Sequence, residues 1–176
     1  VTCGAAITDS GVLTVGGTSG FTTDVNDMSI TLDSSNALSG AITSTTQPGG
    51  TNSASITLNN GSTTISLAGF TTEGNLTLTT TAAIALAGHT VNGNLTVTSG
   101  DAITQTAALT VTGTSSFTTN VIDKAITLST ATNVFTGAVS FTTFHDGTTA
   151  NVNINNGTTN LILGTSDIHG TLTAAT

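Results

Sequence analysis

Aliphatic side chains recur two positions apart along the whole chain, with Thr, Ser or Asn between them: Leu13 and Val15, Ile30 and Leu32, Ile56 and Leu58, Ile65 and Leu67, Leu76 and Leu78. The same alternation continues at Leu95 and Val97, Leu109 and Val111, Ile126 and Leu128, Val139 and Phe141, Val152 and Ile154, Leu161 and Leu163. A period of two places every aliphatic on one side of an extended backbone, so each stretch predicts a strand with one buried face. Between the stretches lie Gly16-Gly17, Gly49-Gly50, Asn59-Asn60-Gly61 and Asn155-Asn156-Gly157, residue types that tolerate the left-handed backbone of turns. Exposed helix formers are scarce and threonine is abundant, which together predict an all-β chain.

The strands belong to a repeat. Residues 5–32, AAITDSGVLTVGGTSGFTTDVNDMSITL, return almost unchanged at 101–128 as DAITQTAALTVTGTSSFTTNVIDKAITL, an offset of 102 − 6 = 96 from Ala6 to Ala102. The same offset carries the stretch from Ile56 onto that from Val152 and Gly74 onto Gly170, with one single-residue slip where Gly40 answers to Gly137. Such a slip is expected in a turn, where an insertion does not invert a buried face. The chain is therefore read as a single segment over 1–176, with a long repeat at 6–101 and a partial copy at 102–176, as expected of a window on a longer array.

A shorter recurrence, Gly74-Asn75-Leu76-Thr77 as Gly93-Asn94-Leu95-Thr96, lies 19 residues apart and suggests one coil of a parallel β-solenoid. On that period the 96-residue repeat holds about five coils, the chain about nine, and the rod is on the order of 40 Å long at the inter-strand spacing. Hairpins folded into a sandwich are the competing architecture, since NNG also marks hairpin turns. The fixed register over 96 residues favours coils that each rest on a neighbour. The stretch from Ser44 to Ser53, around Pro48, and its counterpart at 142–147 are expected to loop out of the rod.

Charge narrows the functional classes. One cation, Lys124, stands against nine carboxylates, a formal net charge of −8. Neither the phosphates of nucleic acid nor an anionic membrane surface finds a counter-charge here. Six phenylalanines are the entire aromatic content, too few for a base-stacking surface. Low charge with 36% hydrophobic residues also argues against disorder. No run of apolar residues is long enough to span a bilayer as a helix. The lone Cys3 excludes an intrachain disulfide and, with no histidine or cation near it in sequence, reads as an inert thiol.

Candidate chemistry is thin. His89, His145 and His169 have no metal-ligand spacing, and in the other copy His145 is replaced by Pro48 and His169 by Glu73. His145-Asp146 resembles an acid–base pair but has no nucleophile beside it. Asp27 and Asp123 are equivalent in the repeat and are expected to close a turn; calcium would need more oxygens per site. No catalytic, cofactor-binding or metal-binding residues are assigned, and no cofactor is expected. Thr77/Thr79, Thr96/Thr98 and Thr110/Thr112 invite an ice-binding reading, but offsets of 19 and 14 predict that the pairs fall out of register. Asn60, Asn75, Asn94 and Asn156 begin Asn-x-Ser/Thr sequons.

The stretches Gly93–Thr119, Asp123–Phe141 and TNLILGTSDIHGTLTA near the end resemble the repeat region of large filamentous-haemagglutinin-like exoproteins. The resemblance implies a right-handed parallel β-helix, export to the cell surface, and service as a structural segment of an extracellular fibre or giant adhesin. Open ends of such a solenoid would pair with other copies, so the expected partner is the chain itself, stacked end to end. The alternative is a β-helix domain that binds or cleaves carbohydrate, which would need a groove lined with aromatics and carboxylates.

Overall fold

The computed structural model describes all residues except 48, 50–53, 145, 147 and 148. It is a parallel β-solenoid of about eight turns, with strands and no helix among the described residues. Every strand pair is parallel, which rules out the hairpin sandwich. Each turn of the chain visits three faces. On the first lie Ile7–Thr8, Ile30–Leu32, Ile56–Asn59, Leu76–Thr80, Leu95–Ser99, Ser115–Thr119 and Val139–Thr142, in one seven-stranded sheet.

The second face carries Thr14–Val15 and Ala37–Leu38, then the six-stranded sheet from Ile65–Ser66 to Leu172–Ala175. Thr2–Cys3, Ser19–Asn26 and Ile42–Gln47 open the third face, which a bridge from Ile42 to Leu67 leads on to Thr71–Thr72, Thr90–Val91, Thr110–Val111 and Val134–Phe135. The expected loop from Ser44 is thus strand as far as Gln47, and Pro48 lies outside the described residues.

Alternation makes the core. Ile30, Ile56, Leu76 and Leu95 stack in one inward column of the first face, and Leu32, Leu58, Leu78, Val97, Phe117 and Phe141 in the next. All ten are buried. Burying each such side chain stabilises by about 1.5–3 kcal/mol, and the parallel ladder repeats the gain at every turn. Phe117 lies between Phe135, edge-on at 6.1 Å, and Phe141, stacked at 5.8 Å.

Register corrects the coil length. Ile7 pairs with Ile30, Ile30 with Ile56, Ile56 with Leu76 and Leu76 with Leu95, so successive turns take 23, 26, 20 and 19 residues. The 19-residue spacing legible in the sequence is the shortest turn, which is why nine coils were expected and about eight are found. The long repeat is not five coils either. From Ile7 the chain makes four turns to Leu95 and then crosses to the second face, where Ile103, the equivalent of Ile7, sits beside Ile84 and Ile126. Ninety-six residues are thirteen sides of a three-sided rod, or four turns and a third, so each copy is turned by one face relative to the last. The slip of one residue falls at the corner between Leu32 and Asn36, opposite the turn at residues 131–132, so the expectation of a turn holds.

Candidate functional site

Corners are where the sequence departs from alternation, and two of them are built alike. Asn60 is fully buried, and its Oδ1 accepts the Leu38 amide at 2.8 Å while its Nδ2 donates to the carbonyls of Leu38, Thr63 and Thr64. Asn156 repeats this with Phe135, Thr159 and Asn160. Each side chain stands in for a strand that is missing at that level and satisfies the ladder edge of the turn below. Gly61 and Gly157 follow with φ of +52° and +62°, the left-handed region that glycine enters with no Cβ cost. The sequons at Asn60 and Asn156 are consequently sealed inside the rod. Those at Asn75 and Asn94 are exposed, with Oδ1 atoms accepting the Asn94 and Thr114 amides of the next turn.

The carboxylates are dispersed structural groups. Asp27 and Asp123 have φ of 62° and 59°, and their turns are closed by Thr23 and Thr119 hydroxyls donating to Met28 and Lys124 carbonyls, with Asp123 also accepting the Thr149 amide. The pair lies in a turn, as expected, but threonine hydroxyls make the closing bonds and the Asp123 carboxylate reaches an amide 26 residues on. Burial works to raise the Asp9 carboxyl, but the Asn36 side chain and the Asp33 and Ser34 amides outweigh it and hold the group below its ordinary value. Gln105 occupies the equivalent position and also meets an asparagine, Asn133. Among the described residues no three His, Cys, Asp or Glu side chains come together to hold a metal. Cys3 is half-buried and free.

His145 lies outside the described residues, so the His145-Asp146 pair has no geometry here. His169 Nε2 sits 3.0 Å from Asp167 Oδ1 at the surface. His89, for which the sequence offered no metal-ligand spacing, is buried: it is 1% exposed, tilted against Phe70 at 4.6 Å between ring centres, and neither ring nitrogen has a hydrogen-bond partner among the described residues. Burial pushes its pKa down to about 4, so the ring is neutral at physiological pH. His89 stands two positions before Val91, as Leu109 does before Val111, so alternation aims it inward, and only its polar side chain kept it out of the aliphatic pattern. Beside Phe70 a concavity of about 460 Å³ is lined by Thr45, Thr46, Gly69, Phe70, Thr71 and Glu73, with Glu73 accepting from Asn92 at 2.9 Å.

Of the three threonine pairs two are in register and the third is not, as its offset of 14 predicted, yet the outward columns continue with other residues. Thr77 and Thr79 do stack on Thr96 and Thr98, but the next turn of that face carries Ser116 and Thr118, followed by Ser140 and Thr142, and the turn before it carries Thr57 and Asn59. Thr110, taken in the sequence for the third member, lies on another face. The columns are therefore in register. The sequence concealed them because serine replaces the first threonine of two pairs.

Fold and corners together define a repeat protein of the parallel β-solenoid class. The chain belongs to the family of repeats of unknown function (DUF5649), which matches residues 1–45 and 73–142. Shifted by 96, the first of these stretches falls on 97–141, inside the second. No curated protein and no solved structure matches the chain.

Proposed function

We propose that the chain is a rod segment of an extracellular fibre or giant surface adhesin, wound right-handed, whose task is to supply length and stiffness and to stack end to end on further coils. The observation that carries this reading is where the uncovered apolar groups lie. Val12 in the first turn is 61% exposed, and Ile162, Leu163 and Leu172 in the last are 52%, 47% and 37% exposed; between them Val25, Val121 and Ile122 also reach solvent beside the Asp27 and Asp123 turns, and the other large aliphatics are buried or half-buried. A concavity of about 260 Å³ lined by Leu13, Val15 and Phe21 opens at the first turn. Both ends offer aliphatics and open strand edges that another coil would cover. Right-handed winding accords with the strong bias of parallel crossover connections. The carbohydrate alternative has in its favour the Phe70–Glu73 concavity, where one ring and one carboxylate give a modest platform and no acid–base pair.

Sedimentation and negative-stain imaging over a concentration series test the proposal. Threads of constant width that lengthen with concentration, and shorten in Leu163→Glu, are expected. Compact particles of one size at every concentration would overturn it.

A further inference from the structure

We propose that the first face of the rod is an ice-binding surface. Between the Ile56–Asn59 and Val139–Thr142 strands, the outward positions of the five turns are Thr57 and Asn59, Thr77 and Thr79, Thr96 and Thr98, Ser116 and Thr118, Ser140 and Thr142, paired in unbroken register. Every one is an uncharged polar side chain, and no aromatic or ionised group interrupts the patch. Parallel pairing sets the spacing between turns at about 4.8 Å, and two residues along a strand span about 6.6 Å. The patch is thus a two-dimensional lattice of hydroxyls and methyls, with repeats close to those between water oxygens along two directions of ice.

A second, independent observation concerns where the hydroxyls point their bonding capacity. None of the nine hydroxyls in the patch hydrogen-bonds to protein among the described residues, whereas Thr43, Thr80, Thr104 and Thr106 elsewhere on the rod donate to backbone carbonyls. Water is left as the partner for these nine hydroxyls, held at fixed intervals by a rigid ladder, while Asn59 at the edge of the array donates to the Asp33 carbonyl and accepts the Gly61 amide, and the threonine methyls exclude disordered water between the ordered sites. The other faces lack this arrangement. On the second, Ala85 separates Ser66 from Thr104, and on the third, two-residue strands present Thr71, Thr90 and Thr110 and then Val134.

Slow growth of polycrystalline ice from a solution of the full chain and an inert protein of similar size provides the test. The chain is expected to be enriched in the ice fraction relative to that protein. Thr96→Tyr with Thr98→Tyr, and separately Thr118→Lys, are expected to return it to the excluded level, while Thr110→Tyr on the third face leaves partition unchanged; circular dichroism checks that each variant is folded. Exclusion of the unmodified chain, retention by both folded first-face variants, or equal loss in Thr110→Tyr would overturn the proposal. So would binding to microcrystalline cellulose without partition into ice, which would assign the face to a crystalline glycan.

Discussion

The two copies of the repeat make a natural experiment, because nearly the same sequence is folded twice on different sides of one rod. Ile7, Ile30 and Ile56 line the first face, and their equivalents Ile103, Ile126 and Val152 line the second. Since thirteen sides are not a multiple of three, three repeats return a given residue to its starting face after thirteen turns, about 62 Å along the axis at the parallel-strand spacing. A strand of this family must therefore fit whichever neighbours the rotation brings it. That condition is met by alternation alone: an aliphatic at every inward position and a small polar group at every outward one is acceptable on any face. Where the copies differ, they differ in what fills the axis. Phe21 stacks over Ser44 in the first copy, while its equivalent Phe117 stacks over Phe141 in the second, and Leu38 is replaced by Phe135.

Removing the ring from each copy should give the largest contrast. Phe117→Ala leaves a cavity between two other phenylalanines in a part of the rod with turns above and below, and should cost about 4 kcal/mol, the range for a fully buried aromatic plus its ring contacts. Phe21→Ala, near the open first turn with a serine beneath it, should cost about half as much because the site can collapse or hydrate. Urea unfolding of the two variants checks this, and equal losses would mean that the aromatic cluster contributes nothing beyond its own area.

A smaller contrast, and one that depends on pH, separates successive turns of the third face. Thr90 pairs with Thr110, so His89 and Leu109 occupy equivalent places one turn apart, both buried. The imidazole protonates near pH 6.5 when the chain is unfolded and resists protonation down to about 4 when folded, so between these values the unfolded state binds more protons. Stability contributed by the neutral ring is constant above pH 6.5, falls as pH drops toward 4, and levels off below. The total loss is roughly 3 kcal/mol. His89→Leu, which repeats the residue of the next turn, should remove this part of the acid sensitivity; unfolding midpoints at pH 7, 5.5 and 4 that fall in parallel for both proteins would refute it.

The parallel stacking, the buried columns and the turn at Asp27 and Asp123 were all legible in the sequence, because each rests on a local rule repeated many times. What was not legible depends on how corners are spanned. Asn60 and Asn156 look like ordinary turn residues of an NNG sequence, yet they fold inward and bond the strand edge of the turn below. Turn length also varies, from 19 residues between Leu76 and Leu95 to 26 between Ile30 and Ile56, which the single Gly74/Gly93 recurrence could not reveal. The in-register hydroxyl columns were missed for a related reason: once coil length varies, the next member of a column cannot be found by adding a constant. His89 was missed because the inward position two before Val91 holds a histidine where the next turn has Leu109, and a search for aliphatics passes over it.

The smallest effect should come from an ion pair of the second copy that the first copy lacks. Lys124 Nζ lies 2.9 Å from Asp101 Oδ1, with about a third and nearly half of the two side chains exposed, and the hydrogen bond from Lys124 holds the Asp101 carboxyl below its ordinary value. The first copy has Met28 and Ala5 at these positions and folds the same turn, with Thr23 donating to the Met28 carbonyl as Thr119 does to that of Lys124. Solvent screens a pair this exposed, and ordering two flexible side chains offsets most of the attraction. The double variant Lys124→Met with Asp101→Ala should therefore melt at a temperature indistinguishable from the parent at moderate salt. A clear drop in melting temperature that high salt also produces in the parent would show instead that the second copy relies on this pair where the first relies on packing alone.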